Sequence, residues 1–337
     1  MAVTINDVAH TAGVSISTVS YALSGKRSVG EKTRRRIEQA IEELGYSPNA
    51  GARALAGRRT YILAVTEPLR PDTYTQAHMA FVLATAKAAR SFDYDVLLLT
   101  QEEATQGLQR VAASRIVDGV IVLDVLADDE RVPLVRDLGI PAAFVGIPND
   151  RAGLWCVDLD FEGAAELAVD RLADLGHQRI GLLGQPPTTY ERGSNFPLRL
   201  REAFFRRARE RGIEARFAMP EVSEAGVRVA MESLFGPDRD LTGLVMHAEE
   251  TVQAEALKLV DEWHLAIPED LSVLAAAATF DTATLRQELD VIPLEPEESC
   301  SRAVRQVLAQ LDGAGEPGLE LLAPSYIDRS STAVAPQ

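Results

Sequence analysis

From Tyr61 onward, short apolar runs alternate with amphipathic stretches, and no other feature of the chain limits its fold so tightly. The runs "YILAV", "YDVLLLT", "GVIVLDV" and "AAFVGI" form one series; after "CVDLD" a second follows at "RIGLLG", "LTGLVMH" and "LSVLAAA". Each is short, rich in β-branched or aliphatic residues and nearly unbroken in its apolarity, which predicts strands buried on both faces. Amphipathic helices between such strands give parallel sheets covered on both sides. A joint at 157–160 divides this body into two similar halves.

The first sixty residues follow a different grammar. Thr4 is placed to cap a helix with Asp7 at its third position and Ile5, Val8, Ala9 and Ala12 at helical spacing, until Gly13 stops it. Ser15 is placed to cap a second helix with Val19 and Leu23 inward, ended by Gly25 near Lys26 and Arg27. A third runs from Glu31 to Leu44, with Ile37, Ala40, Ile41 and Leu44 on one face and Gly45 after it. The "AGVS" between the first two is the tight turn of a helix-turn-helix. A chain of 337 residues exceeds what one core usually supports, so a separate small domain is expected.

Charge separates the same two regions. Residues 1–60 hold nine Lys/Arg against five Asp/Glu, a net +4, which leaves 25 against 45, or −20, for the rest of a chain whose formal net charge is −16. A basic module on an acidic body suits a partner that is a polyanion, although a merely solvated basic helix fits the charge alone as well. The two cysteines, Cys156 and Cys300, have no C-x-x-C spacing, which argues against a disulfide framework and points to a reducing cytosol. "MAVTINDVAH" lacks the pattern of an export signal, and no uncharged apolar run approaches about 18 residues; a cytoplasmic protein with no membrane partner is expected.

The stretch "GVSISTVSYALSG" is too polar for a buried helix. Ile16, Ser17, Ser20, Tyr21 and Ser24 fall opposite Val19 and Leu23. Small hydroxyl side chains permit close approach to another surface, and the helix amino end favours an anion. In a major groove, Thr4, Ser15, Thr18, Ser20 and Ser24 would contact phosphates, and Ile16, Ser17 and Tyr21 would read base edges. A solvated Ser-rich helix fits this segment alone equally well.

The whole stretch "VTINDVAHTAGVSISTVSYALSGKRSVGEKTRRRIEQAIEELGYSPNAGARALAGRR" closely resembles the amino-terminal region of the lactose/galactose repressor (LacI/GalR) family of bacterial transcriptional regulators. "DFEGAAELAVDRLADLGHQRIGLL" resembles, more weakly, the segment opening the second half of that family's periplasmic-binding-protein-like core. The resemblance implies a small all-α helix-turn-helix domain (1–47), a hinge helix (48–60) and an α/β body of two doubly wound parallel-sheet subdomains. The first subdomain would comprise 61–158 and 290–322 and the second 159–289 and 323–332, with a frayed tail at 333–337. Ile16, Ser17 and Tyr21 sit where the family chooses its operator, with Tyr21 in place of the more usual Arg. Gly30 replaces a usual Ser.

The Ala-rich hinge, about eight residues, is too short to be helical alone in water. By resemblance, two such hinges pair in the minor groove and wedge Leu55 between base pairs, with Asn49, Ala52 and Arg53 beside it. A plain linker with Leu55 packed on the core is the alternative. A homodimer is implied, through helices around Phe81 to Arg90 and the segment after Glu249; the heptads that make tetramers do not follow Asp328.

The same resemblance implies a small-molecule effector in the cleft at the strand ends. Its usual sugar-binding residues are altered. Glu249 and Glu250 stand for an Asn-Asp pair, Ala277 and Ala278 for two acids, and the Asp after the fourth strand is replaced near "FVGIPND", so a simple monosaccharide fits poorly. Arg199 or Arg201 would supply the family's ligand-binding Arg, with Tyr190, Arg192 and Asn195 as further candidates. Asp160 reads as a helix cap, and His177 as structural. His247 beside Glu249 and Glu250 is a weak metal pattern, and no cofactor or metal is expected.

A homodimeric repressor with an effector-controlled operator is the leading reading. A second keeps the DNA module but makes the body a protein-binding corepressor platform. A two-domain enzyme with a helical appendage is the third, and it lacks G-x-G-x-x-G, Walker, G-x-S-x-G and metal-spacing motifs.

Overall fold

Three helices, α1 (Ile5–Ala12), α2 (Ile16–Ser24) and α3 (Glu31–Leu44), form where capping and periodicity place them in the computed structural model of the chain. The structure describes residues 3–24, 28–46, 59–70, 74–100, 104–237 and 239–336. It divides into two units, 1–60 and 61–337. In the first, the Asp7 carboxylate accepts from the Thr4 amide (2.8 Å) and hydroxyl (2.7 Å). Those hydrogen bonds hold the Asp7 carboxyl below the usual range.

Gly13 ends α1 in the left-handed conformation (φ 61°), with Val14 N–H donating to Ala9 O at 3.0 Å. A Cβ there would lie 2.8 Å from Arg36 Nη2, so this turn needs glycine for both backbone and space. Arg36, reaching from α3, donates to the carbonyls of Ala12 and Gly13 (3.2 Å for the latter). It thereby ties the helix-turn-helix to the third helix. Val8, Ala9, Ala12, Val19, Ile37 and Ala40 make the core, and each large aliphatic side chain buried there contributes roughly 1.5–3 kcal/mol.

The second unit contains eleven strands among the described residues: β1 (Ile62–Thr66), β2 (Asp95–Leu99), β3 (Gly119–Val122), β4 (Ala142–Val145), β5 (Trp155–Leu159), β6 (Arg179–Leu183), β7 (Glu214–Ala218), β8 (Gly243–Met246), β9 (Ser272–Ala278), β10 (Asp290–Pro293) and β11 (Gly318–Leu322). They form two sheets, ordered β2-β1-β3-β4-β5-β11 and β7-β6-β8-β9-β10, with every pair parallel. Apart from the added edge strand β11, the two orders are the same, which is the physical form of the two similar halves. In each, the order reverses beside the first strand of the half: Val65 lies opposite both Leu98 and Ile121, and Leu182 opposite both Phe217 and Val245. Such switch points open a crevice at the carboxyl ends of the strands.

Helices α4 (Thr75–Arg90), α5 (Ala104–Ser114), α6 (Arg131–Leu138) and α12 (Pro296–Leu311) belong to the first sheet. Those of the second are α7 (Phe161–Asp174), α8 (Pro187–Glu191), α9 (Asn195–Glu210), α10 (Glu224–Phe235) and α11 (Glu250–Glu262). Asp160 caps α7 through Gly163 N–H (3.0 Å), and His177 is a fully buried structural residue bonded to Thr242 and Ser272 (2.9 Å each). No described helix is long and apolar enough to cross a membrane.

Two expectations are corrected here. Residues 290–293, expected in the first subdomain, pair with β9 in the second sheet. Asp290 anchors them: although fully buried, it accepts from Arg329 N–H (2.7 Å), Ser331 N–H (3.0 Å), Thr332 Oγ1 (2.6 Å) and Tyr326 Oη. The expected frayed tail is ordered through Ala335. Ala333 N–H donates to Ser272 Oγ (2.9 Å) and Ala335 N–H to Leu175 O (2.9 Å). Ser331 and Thr332, immediately before that tail, are thus among the donors that satisfy the buried Asp290 carboxylate.

Candidate functional site

Two sites take shape, one in each unit. In the first, Ser15, Ile16 and Ser17 protrude at the amino end of α2, with Ile16 half exposed, while Thr18, Ser20 and Tyr21 are partly buried. Ser15 Oγ caps the helix through Thr18 N–H (3.1 Å) and lies 2.8 Å from Ser17 Oγ and 2.7 Å from Thr18 Oγ1. Three hydroxyls sharing two such contacts keep one proton to offer a phosphate. Thr4 gives its hydroxyl proton to Asp7 and must turn away from it to donate elsewhere. Asn49, Ala52, Arg53 and Leu55 lie outside the described residues, as does the side chain of Ser24.

The second site is a cavity of about 140 Å³ in the body, at the carboxyl ends of strands from both sheets. The first sheet supplies Glu67 after β1, His78 on α4, Asp124 after β3, Ile147 after β4, and Asp158 on β5 itself. The second supplies Phe161, Gln185, Phe196, His247, Glu249 and Thr279.

On the first wall each charge has a partner. His78 Nδ1 sits 2.7 Å from Glu67 Oε1. Burial opposes a charge on His78, but the hydrogen bond and charge of Glu67 outweigh it and raise its pKa; burial raises the Glu67 carboxyl, with His78 pulling it back. Arg70 binds Asp124. Beneath them Arg131, almost fully buried, is held by Asp129 (2.9 and 2.6 Å) and donates to Thr66 Oγ1, Leu123 O and Asp124 O. The ligating atoms of Glu67, His78 and Asp124 lie within 4.8 Å of one another, a spacing that one cation could span, and Arg70 already contacts that Asp.

The second wall is different. His247 is 98% buried between Phe161 and Phe196, ring centroids 6.0 and 5.6 Å away. Its Nδ1 faces the carbonyl of Ala276 at 3.0 Å, so Nδ1 carries the proton. Burial pushes the ring's pKa down to about 4, leaving a neutral imidazole whose Nε2 is an acceptor. That Nε2 has no hydrogen-bond partner among the described residues, and neither has Oε1 of Glu249, which is 91% buried. Burial raises the Glu249 carboxyl.

Residues 4–49 match the family described as bacterial regulatory proteins, lacI family, and residues 169–332 match the periplasmic binding protein-like domain. Over 355 residues, spanning the whole chain and 96% of the relative, the sequence is 30% identical to the HTH-type transcriptional regulator AglR of Rhizobium meliloti (strain 1021). The chain belongs to the LacI family. Among solved structures, the lac repressor dimer bound to operator and the anti-inducer ONPF superposes with a TM-score of 0.82 at 24% identity, covering 99% of this chain and 100% of that one. The transcriptional regulator CelR–cellobiose complex gives 0.66 at 23%, covering 98% and 99%. These likenesses show the common fold: a helical helix-turn-helix followed by two parallel-sheet α/β subdomains. Membership makes the chain a DNA-binding transcriptional regulator.

Within this LacI-family regulator, the residues expected in the cleft scatter. Of the seven, Glu249 alone lines the cavity. Arg199 stands behind the wall, bound to Asp158 (2.6 Å) and to Glu162; burial raises the Asp158 carboxyl to about 7 even so. Arg201 stacks on Tyr190 and Phe217 (5.2 and 5.5 Å to the ring centroids). Arg192 donates to Ser194 Oγ (3.0 Å). Glu250 accepts from Thr284 Oγ1 (2.9 Å) and Gln76 Nε2 (3.3 Å). Asn195 joins the subdomains: its side chain donates to Ile147 O, beside the Ala127 N–H to Gly193 O bond of 2.8 Å. Glu67, His78, Asp124, Asp158, Phe161 and His247 were not expected as lining residues, although a polar residue at the carboxyl end of an apolar strand marks Glu67, Asp124, Asp158 and His247.

Proposed function

We propose that this LacI-family regulator is a repressor, that it binds a palindromic operator as a homodimer, and that a small molecule in the cleft of its body sets its affinity for DNA. The observation that carries the effector reading is the cavity with two buried, unpartnered acceptors, His247 Nε2 and Glu249 Oε1, in the same chain as the helix-turn-helix. Buried acceptors without donors each cost about 1–3 kcal/mol, which a ligand bringing donors would recover. The lac repressor dimer bound to operator and CelR in complex with cellobiose support the dimer and a sugar effector. Coupling of this kind is typically about 1–3 kcal/mol.

On the DNA side, Ile16, Ser17 and Tyr21 read bases, and Thr4, Ser15, Thr18, Ser20 and Ser24 contact phosphates. Leu55 wedges the minor groove, flanked by Asn49, Ala52 and Arg53. Selection of bound duplexes from a random pool at two salt concentrations tests this. A palindrome with a flexible central step, bound far more weakly at the higher salt, is expected. Tyr21→Arg should then shift one symmetric position toward guanine, because Arg makes a bidentate contact that Tyr does not. Recovery of no motif would contradict the reading.

A further inference from the structure

The first wall of the cleft brings together three side chains that lie far apart in the sequence, Glu67 after β1, His78 in the first turn of α4 and Asp124 after β3. All three line the cavity, and their ligating atoms lie within 4.8 Å of one another. Both carboxylates are almost wholly buried, and His78 is largely so. Their positions are fixed from beneath: Arg131 donates to Thr66 Oγ1 (3.0 Å) at the end of β1 and to the carbonyls of Leu123 (2.8 Å) and Asp124 (2.9 Å) after β3. Asp124 itself holds a left-handed backbone (φ 46°), rare for a residue with a side chain and concentrated at functional sites. One imidazole and two carboxylates so held form a donor set for a divalent first-row transition ion. A second observation is independent of this cluster. His247 Nε2 and Glu249 Oε1, each more than nine-tenths buried in the lining of the same cavity, accept from nothing among the described residues. Water bound to a metal ion offers such acceptors strongly polarised O–H donors.

We infer that the cleft binds one divalent transition-metal ion, held by Glu67, His78 and Asp124 and hydrated on its cavity side, where His247 and Glu249 supply acceptors. Such a site goes beyond the effector reading and stands without it. The ion takes the place of the proton that His78 Nδ1 and Glu67 Oε1 share at 2.7 Å, and that proton leaves to solvent. It also offsets the repulsion between two buried carboxylates in one small space. Arg70 contacts Oδ2 of Asp124. Carboxylates that ligate metals are themselves hydrogen-bonded, so this guanidinium orients the ligand and leaves the carboxylate's other oxygen to the ion. The imidazole favours Mn²⁺, Co²⁺, Ni²⁺ or Zn²⁺ over Mg²⁺ and Ca²⁺, which prefer oxygen alone.

The experiment uses the purified full chain, free of any affinity tag, stripped with a chelator and titrated separately with Mn²⁺, Zn²⁺, Mg²⁺ and Ca²⁺ in a calorimeter. One Mn²⁺ or Zn²⁺ per chain is expected, with Mg²⁺ and Ca²⁺ bound at least about 10-fold more weakly. His78→Gln and Asp124→Asn should each weaken the site by about 10- to 100-fold. Replacing the exposed histidines together, His10→Gln and His264→Asn, should leave it unchanged. Thermal unfolding confirms that the variants are folded. If a ligand variant does not fold, electron spin-echo modulation of the Mn²⁺-loaded wild type decides, because a coordinated imidazole nitrogen is expected there. The inference is overturned if neither transition ion binds, if binding is unchanged in both ligand variants, or if the Mn²⁺ signal shows no nitrogen. Ion binding in a chain that takes up no organic ligand would contradict the effector reading alone.

Discussion

The two walls of the cleft are built from sheets of the same strand order, yet they handle buried charge in opposite ways. On the first, Glu67 meets His78, Asp124 meets Arg70, and Asp129 holds Arg131 under both. On the second, His247 and Glu249 present buried acceptors that no described residue satisfies. A paired wall is a rigid frame, because removing one partner strands a charge in low dielectric. An unpaired wall holds polar groups in reserve for something that arrives later. The contrast teaches that topology alone does not locate binding chemistry in a duplicated fold; the accounting of donors, acceptors and counter-charges does.

Substitutions on the first wall should therefore cost stability, and those on the second should chiefly cost binding. The largest effect is expected from Asp129→Ala, which leaves the almost fully buried Arg131 without its carboxylate; about 3–5 kcal/mol should be lost in urea unfolding. An unchanged midpoint would mean that the first wall is not a paired frame.

Next comes pH. The folded pKa of His247, about 4, lies below the ordinary value of 6.5. Between those values the unfolded chain binds more protons, so stability falls as pH drops through that window, by about 3 kcal/mol across it. Relative to His247→Phe, the wild type should lose stability from pH 6.5 toward 4 in thermal unfolding; parallel profiles would contradict a buried neutral imidazole.

Asn195→Ala, at the seam between the walls, leaves the Ile147 carbonyl without its donor, and about 1–2 kcal/mol is expected from chemical unfolding. If this variant matched the wild type, the seam contact would contribute nothing. The smallest effect is expected at Glu249→Gln, less than about 0.5 kcal/mol on the stability of the ligand-free chain, since no described partner is lost. A loss comparable to that of Asp129→Ala would show that the second wall, too, is a frame.

How legible these features were in the sequence follows from how local their causes are. The helix-turn-helix was legible because Thr4, Asp7, Gly13 and Ser15 act within a few residues of themselves. The central strands were legible as apolar runs, except β5, whose "CVDL" read as the joint between the halves because Asp158 interrupts its apolar run. The strands β7 "EARFA", β10 "DVIP" and β11 "GLELL" were not, because each lies at the edge of its sheet and two of them are partly exposed, so their patterns are mixed. The clamp made by Arg36 looked like one more basic residue, since its partners lie 23 and 24 positions away.

The cleft was the least legible region. Its walls come from the ends of strands scattered over the body, and family likeness drew notice to the helix bearing Arg199 and Arg201. The packing of that helix turns Arg199 toward Asp158 and Glu162, and Arg201 toward Tyr190 and Phe217. Polar residues closing apolar strands, as in "AVTE", "VLD" and "VMHAE", were the usable signal.

The central claim is that cleft and DNA-binding helix are coupled. The most direct measurement is the affinity of the full chain for its selected operator duplex, by fluorescence anisotropy, with and without a saturating amount of a small molecule found to bind the cleft. A change of about 5- to 150-fold, reached only at higher ligand concentration in Glu249→Gln, is the result this account requires. Operator affinity that stays the same while the cleft is demonstrably filled would contradict it.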